Sequence, residues 1–394
     1  MDRILAPATT GELRDLIWDP AVPLGAVDTS RITDMAGLFS DCPAGRSLDG
    51  IGSWDVSRVR DMSFMFQGLE NFNEPLEDWD VSQVTDMRGM FQGARTFSRP
   101  LGRWNVSGVT DMSHMFEGAR AFNQPLEGWD VSLVTDMRGM FHGARIFNQP
   151  LGRWDVSGVR HMDEMFSGAE HFNAPLEEWD VSAVRSMNGM FAGALAFDQP
   201  LGDWDVSQVS RMADMFQGAC SFSQPLEGWD VSRVRDMSGM FEGAVSFNHP
   251  LGRWDVGGVT RMIRMFCQAM SFNQPLGDWD VSQVRDMTGM FRSAVSFNQD
   301  LSSWDVSRVT AMCEMFRDAC CFNRSLASWD MGAVLDVTQM FAGALSYDQS
   351  MAGWGLGRNV IQDDMMTGAV SLNSANRRSA RSGGRRRQQG RHRR

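Results

Sequence analysis

Tryptophan stands at residue 54 and at every twenty-fifth residue through 354, thirteen times in register without an insertion. No other feature limits the fold so tightly. A unit of this length cannot bury its apolar side chains alone, so it must stack on identical neighbours, and the expected product is a single elongated array. With Trp as position 1, the unit reads W-D-V-S-x-V-x-D-M-x-x-M-F-x-G-A-x-x-F-N-Q-P-L-x-x. A degenerate earlier unit starts at Val27 and carries two extra residues before Trp54.

Met at position 9, Met at 12, Phe at 13 and Ala at 16 have the spacing of one face of a short helix, as in Met162, Met165, Phe166 and Ala169. Position 15 is Gly in ten of thirteen units, including Gly68, Gly93 and Gly168, where a left-handed residue would end that helix. Leu at 23, Trp at 1 and Val at 3 have the spacing of an inward-facing strand. The fold class this predicts is an α/β solenoid, a right-handed superhelix of about fourteen short strand-helix coils with a parallel sheet on one face.

Both ends carry capping signals. Thr9 is followed three residues later by Glu12, with Leu13, Leu16 and Ile17 on one face of the helix this predicts. Residues 1–26 are therefore an N-terminal capping region, and 27–375 the solenoid. Its first coil, 27–53, and last coil, 354–375, are degenerate. A second period overlies the first: position 24 alternates Glu and Gly from Glu77 to Gly252, and position 11 is Gly at 89, 139, 189, 239 and 289 but not between them. Duplication of fifty-residue pairs of coils accounts for it.

Charge divides the chain unequally. All 37 basic residues are Arg, and nine of them lie in the acid-free segment 376–394. Residues 1–375 therefore hold 28 Arg against 49 acids, a balance of −21. The tail, including Arg385, Arg386, Arg387, Arg391, Arg393 and Arg394, is too charged to join a core and is expected to be disordered.

The run FNQPL-x-x-WDVS-x-VTDM-x-x-MF-x-x-A resembles the BspA-like leucine-rich-repeat family, in its twenty-five-residue branch of mycoplasma lipoprotein-type and other surface repeats, over residues 27 to 373. The resemblance implies a leucine-rich-repeat-like solenoid and a cell-surface or secreted adhesive role. No signal peptide, lipobox cysteine or wall anchor is visible in the sequence, and no apolar stretch is long enough for a transmembrane helix.

Asp occupies position 2 in eleven units: Asp55, Asp80, Asp130, Asp155, Asp180, Asp205, Asp230, Asp255, Asp280, Asp305 and Asp330. The row is either an acidic interaction stripe or a set of turn caps accepting backbone N–H groups. Asn at position 20, in nine units, is expected to form a hydrogen-bonded ladder. The Met rows belong to the core rather than to a soft-metal site. The six Cys follow no disulfide framework, and five of the six His fall at five different repeat positions. No catalytic, metal or phosphate-loop motif is present, so no enzyme activity and no cofactor are expected. What remains is a monomeric, non-catalytic scaffold for a protein or matrix-type partner, or a nucleic-acid- or anionic-membrane-associated protein acting through its tail.

Overall fold

The computed structural model describes residues 5–40, 42, 45–357, 359–369 and 371. The Arg-rich segment 376–394 lies outside them. The chain divides into two compact units, Met1–Gln199 and Pro200–Arg394, built from the same coil.

In the first unit, helix α1 (Thr10–Trp18) begins where the Thr9 hydroxyl accepts the Glu12 N–H at 3.2 Å, while the Glu12 carboxylate reaches back to the Ala8 N–H at 2.7 Å. Leu13 and Ile17 are fully buried. Thr10 donates its hydroxyl to the Asp34 carbonyl and Arg14 reaches that of Gly37, so α1 packs against the first coil.

The expected helix over positions 9–16 does not form. The reason lies in where the amides go. N–H groups at 12, 14 and 16 bond three residues back in the same coil, as Met90→Met87, Gln92→Gly89 and Ala94→Phe91. Those at 9, 11, 13 and 15 donate instead to the next coil, as Met87→Asp111, Gly89→Ser113, Phe91→Met115 and Gly93→Glu117. This alternation requires left-handed backbone at 11 and 15, seen at Gly89 (φ 59°) and Gly93 (φ 75°), and an α-helix tolerates neither. Met, Met, Phe and Ala still point inward, as Met87, Met90, Phe91 and Ala94 are all wholly buried.

The parallel pairing is also displaced from its expected place at Leu-Trp-Val. It appears as isolated bridges at position 8, Asp61↔Asp86↔Asp111↔Asp136 in the first unit and Asp236↔Arg261↔Asp286 in the second. Around Trp the backbone makes within-coil turns, such as Trp104 N–H to Leu101 and Val109 N–H to Val106. The coil-to-coil bond there comes from the side chain: the indole N–H of Trp104 donates to the Leu76 carbonyl at 2.9 Å, and that of Trp254 to Leu226 at 2.9 Å. A buried indole N–H without an acceptor would cost about 1–3 kcal/mol, and the Leu carbonyl of the preceding coil removes that cost.

Three aromatic stacks fill the core. In the first unit Trp79–Trp104 lie 6.5 Å apart and 3° from parallel, Phe91–Phe116 5.6 Å and Phe97–Phe122 5.9 Å. The second unit repeats this with Trp229–Trp254 at 6.4 Å, Phe241–Phe266 at 5.6 Å and Phe247–Phe272 at 6.1 Å. Met residues at 9 and 12, such as Met137 and Met140, are wholly excluded from solvent and pack as core. The Asn ladder is present: Asn123 Oδ1 accepts the Asn148 N–H and Asn148 Oδ1 that of Asn173, each at 2.9 Å. All six Cys are free thiols.

At position 11 the two-coil period has a steric side. At position 11 the side chain of one coil lies over the Gly of the next, and a Cβ built on Gly139 would stand 2.6 Å from His114 Nδ1. Phe64 covers Gly89 and Asp214 covers Gly239 in the same way. From Phe64 to Gly289 large residues and Gly alternate at this position, whereas the last three coils carry Glu314, Gln339 and Asp364 in succession.

Candidate interaction surface

Each Asp at position 2 is exposed, from Asp55 to Asp330. Its Oδ1 accepts the N–H two residues on: Asp55 from Ser57 at 3.0 Å, Asp155 from Ser157 at 3.1 Å, Asp255 from Gly257 at 3.1 Å and Asp330 from Gly332 at 2.9 Å. Asn105 does the same with Ser107, so an amide serves as well as a carboxylate. The Ser hydroxyl adds a second bond, 2.6 Å in Ser157–Asp155. Hydroxyl and N–H together hold Asp130, Asp180, Asp230, Asp280 and Asp305 below the ordinary carboxylate range. The local turn thus engages one carboxylate oxygen throughout the row, whose residues remain at the surface.

A second acidic row escaped the sequence reading, although Asp at position 8 is part of the repeat. Asp34, Asp61, Asp86, Asp111 and Asp136 are successive bridge partners in the first unit. Each Oδ1 accepts the N–H two residues on, as in Arg88 to Asp86 at 2.9 Å and Ser113 to Asp111 at 2.8 Å. Burial raises Asp86, helped by the neighbouring charges of Asp61 and Asp111 and opposed by Arg88. Arg88 lies 3.5 Å from Asp86 and 4.0 Å from Asp111, and Arg138 lies 2.6 Å from Asp136. These carboxylates are committed to the fold and to neighbouring Arg.

Polar chains also run from coil to coil at position 14. Gln67 donates to Gln92 at 2.6 Å and Gln92 to Glu117 at 2.7 Å, while His114 meets Glu117 at 2.8 Å and is raised by that bond. In the second unit Glu314 joins Arg292 at 2.7 Å and Arg317 at 2.6 Å.

Position 17 changes character along the chain. In the first unit it is charged through five coils, Glu70, Arg95, Arg120, Arg145 and Glu170, with ion pairs Arg95–Glu70 at 2.9 Å and Arg145–Glu170 at 2.5 Å. In the second unit it is Cys220, Val245, Met270, Val295, Cys320 and Leu345. Met270 and Leu345 are each 47% exposed and Val295 36%, unlike the fully buried Met at 9 and 12. Position 17 lies outside the inward set of 9, 12, 13 and 16, and these apolar residues are accordingly exposed.

A cleft of about 600 Å³ opens beside the first coil between Phe39, Arg46, Leu48, Leu69, Phe72 and Glu74. Its guanidinium is already committed, because Arg46 donates to the carbonyls of Ile17 at 2.7 Å and Val22 at 2.6 Å. Among the described residues no cluster of three or more His, Cys, Asp or Glu is arranged to hold a metal ion, and no helix is long and apolar enough to cross a membrane. Arg385, Arg386, Arg387, Arg391, Arg393 and Arg394 lie outside the described residues.

Comparison with solved structures gives low overall similarity. The TLR13–ssRNA13 complex aligns over 92% of this chain and 51% of its own, with 10% identity and a TM-score of 0.27. The plant peptide hormone receptor RGFR1 in complex with RGF2 aligns over 89% and 63%, with 8% identity and a TM-score of 0.24. A leucine-rich-repeat protein of Leptospira interrogans aligns over 96% and 97%, with 7% identity and a TM-score of 0.20. This chain thus spans about half the length of the first and less than two thirds of the second. No curated protein matches it in sequence. A family model does, in four overlapping tandem segments at 18–128, 119–228, 195–294 and 271–378, and the chain belongs to that family, described as Mycoplasma protein of unknown function, DUF285.

Proposed function

We propose that this repeat protein is a non-catalytic interaction scaffold of the BspA-like kind, engaging a protein or matrix-type ligand at a cell surface or after secretion. One observation carries the reading: the residues that repeat are consumed by the fold. Trp, Val, Met, Phe and Leu are buried, while Asp at 2 and Asn at 20 bond neighbouring backbone. Individuality is left to positions that vary and reach solvent, such as Arg153, whose side chain is 82% exposed beside Glu127. Variable side chains displayed at a regular spacing give a scaffold its specificity. The Asp row belongs to the same proposed surface, since its members stay exposed while capping their turns.

The rival reading assigns binding of nucleic acid or anionic lipid to the tail, because a body carrying −21 repels polyanions and only segment 376–394 concentrates Arg without acid. Deleting residues 376–394 and repeating a pull-down with the tagged chain separates the two. Retention of protein partners supports the scaffold. Loss of every partner overturns it in favour of the tail. Immunolocalisation of the full chain tests the surface assignment directly, and exclusively internal staining would remove it.

A further inference from the structure

Position 17 in the second unit, read along the coils, is Cys220, Val245, Met270, Val295, Cys320, and this order is the same in both directions. In sequence the symmetry extends one step further each way, to Leu195 and Leu345. Because these side chains follow one another at one-coil intervals, their period is that of the solenoid itself. An apolar row with a reversible order and one-coil spacing has an unusual property. A second copy turned end for end about an axis through Met270 presents the same row at the same spacing, with every residue facing one of its own kind.

From this we propose that the position-17 row of the second unit is a self-association surface that takes a second copy of this chain, antiparallel, with Met270 on the twofold axis. Val245 then faces Val295 of the other copy, and Cys220 faces Cys320. The same operation acts on position 14, three residues upstream in each coil. It sets Glu242 opposite Arg292 and Gln217 opposite Arg317, guanidiniums that each pair with Glu314 in their own chain and keep about one third of the side chain exposed, so a second carboxylate and an amide would meet them there. Small hydroxyls line the other side at position 18, where Ser246 would face Ser296. A stable dimer covers roughly 800 Å² of each partner, more than one row of side chains supplies, so the rows at 14 and 18 must be part of the contact.

The first unit supplies a contrast. Its position-17 order, Glu70, Arg95, Arg120, Arg145, Glu170, also reads the same both ways. Antiparallel pairing there would set Glu against Glu and Arg against Arg, so the charged row opposes the arrangement that the apolar row favours. The inference goes beyond the scaffold reading, does not depend on it, and differs from the monomer expected from the sequence.

Sedimentation analysis of the full chain tests the proposal, with a monomer of 44.1 kDa as the reference mass. The expected result is a dimer at micromolar concentration, whose dissociation constant rises at least about tenfold in Met270→Asp. Met270 is half exposed, so that variant keeps its fold, checked by an unchanged circular dichroism spectrum. Arg120→Asp, on the charged row, is expected to leave the dimer constant unchanged. Register is read separately by a short bismaleimide crosslinker on chains whose other cysteines are Ser. A mixture of Cys220-only and Cys320-only chains crosslinks between the two kinds, and neither does so alone. A monomer at all concentrations, a dimer indifferent to Met270→Asp, or equal crosslinking of Cys220-only chains with themselves would each overturn the proposal.

Discussion

At the scale of single residues, two aspartate rows separate by their surroundings. Asp155 caps an exposed turn through one oxygen, and Asn105 does the same job in its own coil. Asp155→Ala is therefore expected to cost about 1 kcal/mol and Asp155→Asn close to nothing, measured by urea unfolding. In the same row Asp130, Asp180, Asp230, Asp280 and Asp305 have folded pKa values depressed by Ser hydroxyl and N–H donors. Their stabilisation is fully present above the unfolded value of about 3.9 and is lost as pH falls through the folded values. The melting temperature should accordingly drop below about pH 4, less steeply in Ser132→Ala, whose hydroxyl bond to Asp130 is gone. Asp86 behaves in the opposite sense. Burial and two flanking carboxylates raise it, so its ionised form opposes folding at neutral pH. Asp86→Asn retains an acceptor for the Arg88 N–H and is expected to raise stability at pH 7 by up to about 1 kcal/mol, an increment that vanishes as the pH approaches 4.

Within the coil, the decisive element is the turn from position 9 to 16. Its amides alternate between partners in the same coil and in the next, which left-handed residues at 11 and 15 make possible. Gly68→Ala meets no neighbour within 4 Å and should cost about 1 kcal/mol for its φ of 75° alone. Gly139→Ala adds a collision with His114, whose ring is held by Glu117 at 2.8 Å, and should cost about 2–3 kcal/mol. In a His114→Ala background that excess should disappear, and additivity of the two changes in chemical denaturation would show that the alternation has no steric basis. Trp154→Phe removes only the indole N–H that bonds the Leu126 carbonyl at 3.0 Å and part of the stacked area, so it should cost less than the roughly 3–5 kcal/mol of Trp154→Ala.

For the whole chain, the absence of helix from the coils has a spectroscopic consequence. Among the described residues the α-helix is confined to Thr10–Trp18. Far-ultraviolet circular dichroism should therefore lack the paired helical minima that thirteen two-turn helices would produce, and strong minima would contradict the turn assignment. Charge acts at the same scale. With −21 on residues 1–375 and +9 on the tail, the effect of deleting residues 376–394 on any partner's affinity should shrink as salt is raised toward 1 M.

What the sequence determined by itself was the period, the inward set, the cap on α1 and the Asn ladder. These follow from side-chain chemistry at fixed spacing: Trp154, Met165 and Phe166 are apolar and must be buried, and Thr9 with Glu12 satisfies the first amides of a helix in any context. Only the tertiary structure decided between helix and turns for Met162–Ala169. Both place the same residues inward, and the choice depends on whether the amides at 9, 11, 13 and 15 find acceptors within the coil or across it. Residues three to four apart carry no information about a carbonyl twenty-four residues away, such as the Ser186 oxygen that accepts the Met162 N–H. The spacing also placed position 17 outside the inward set of 9, 12, 13 and 16, and the structure adds the degree, Met265 at 12 being wholly buried and Met270 at 17 being 47% exposed.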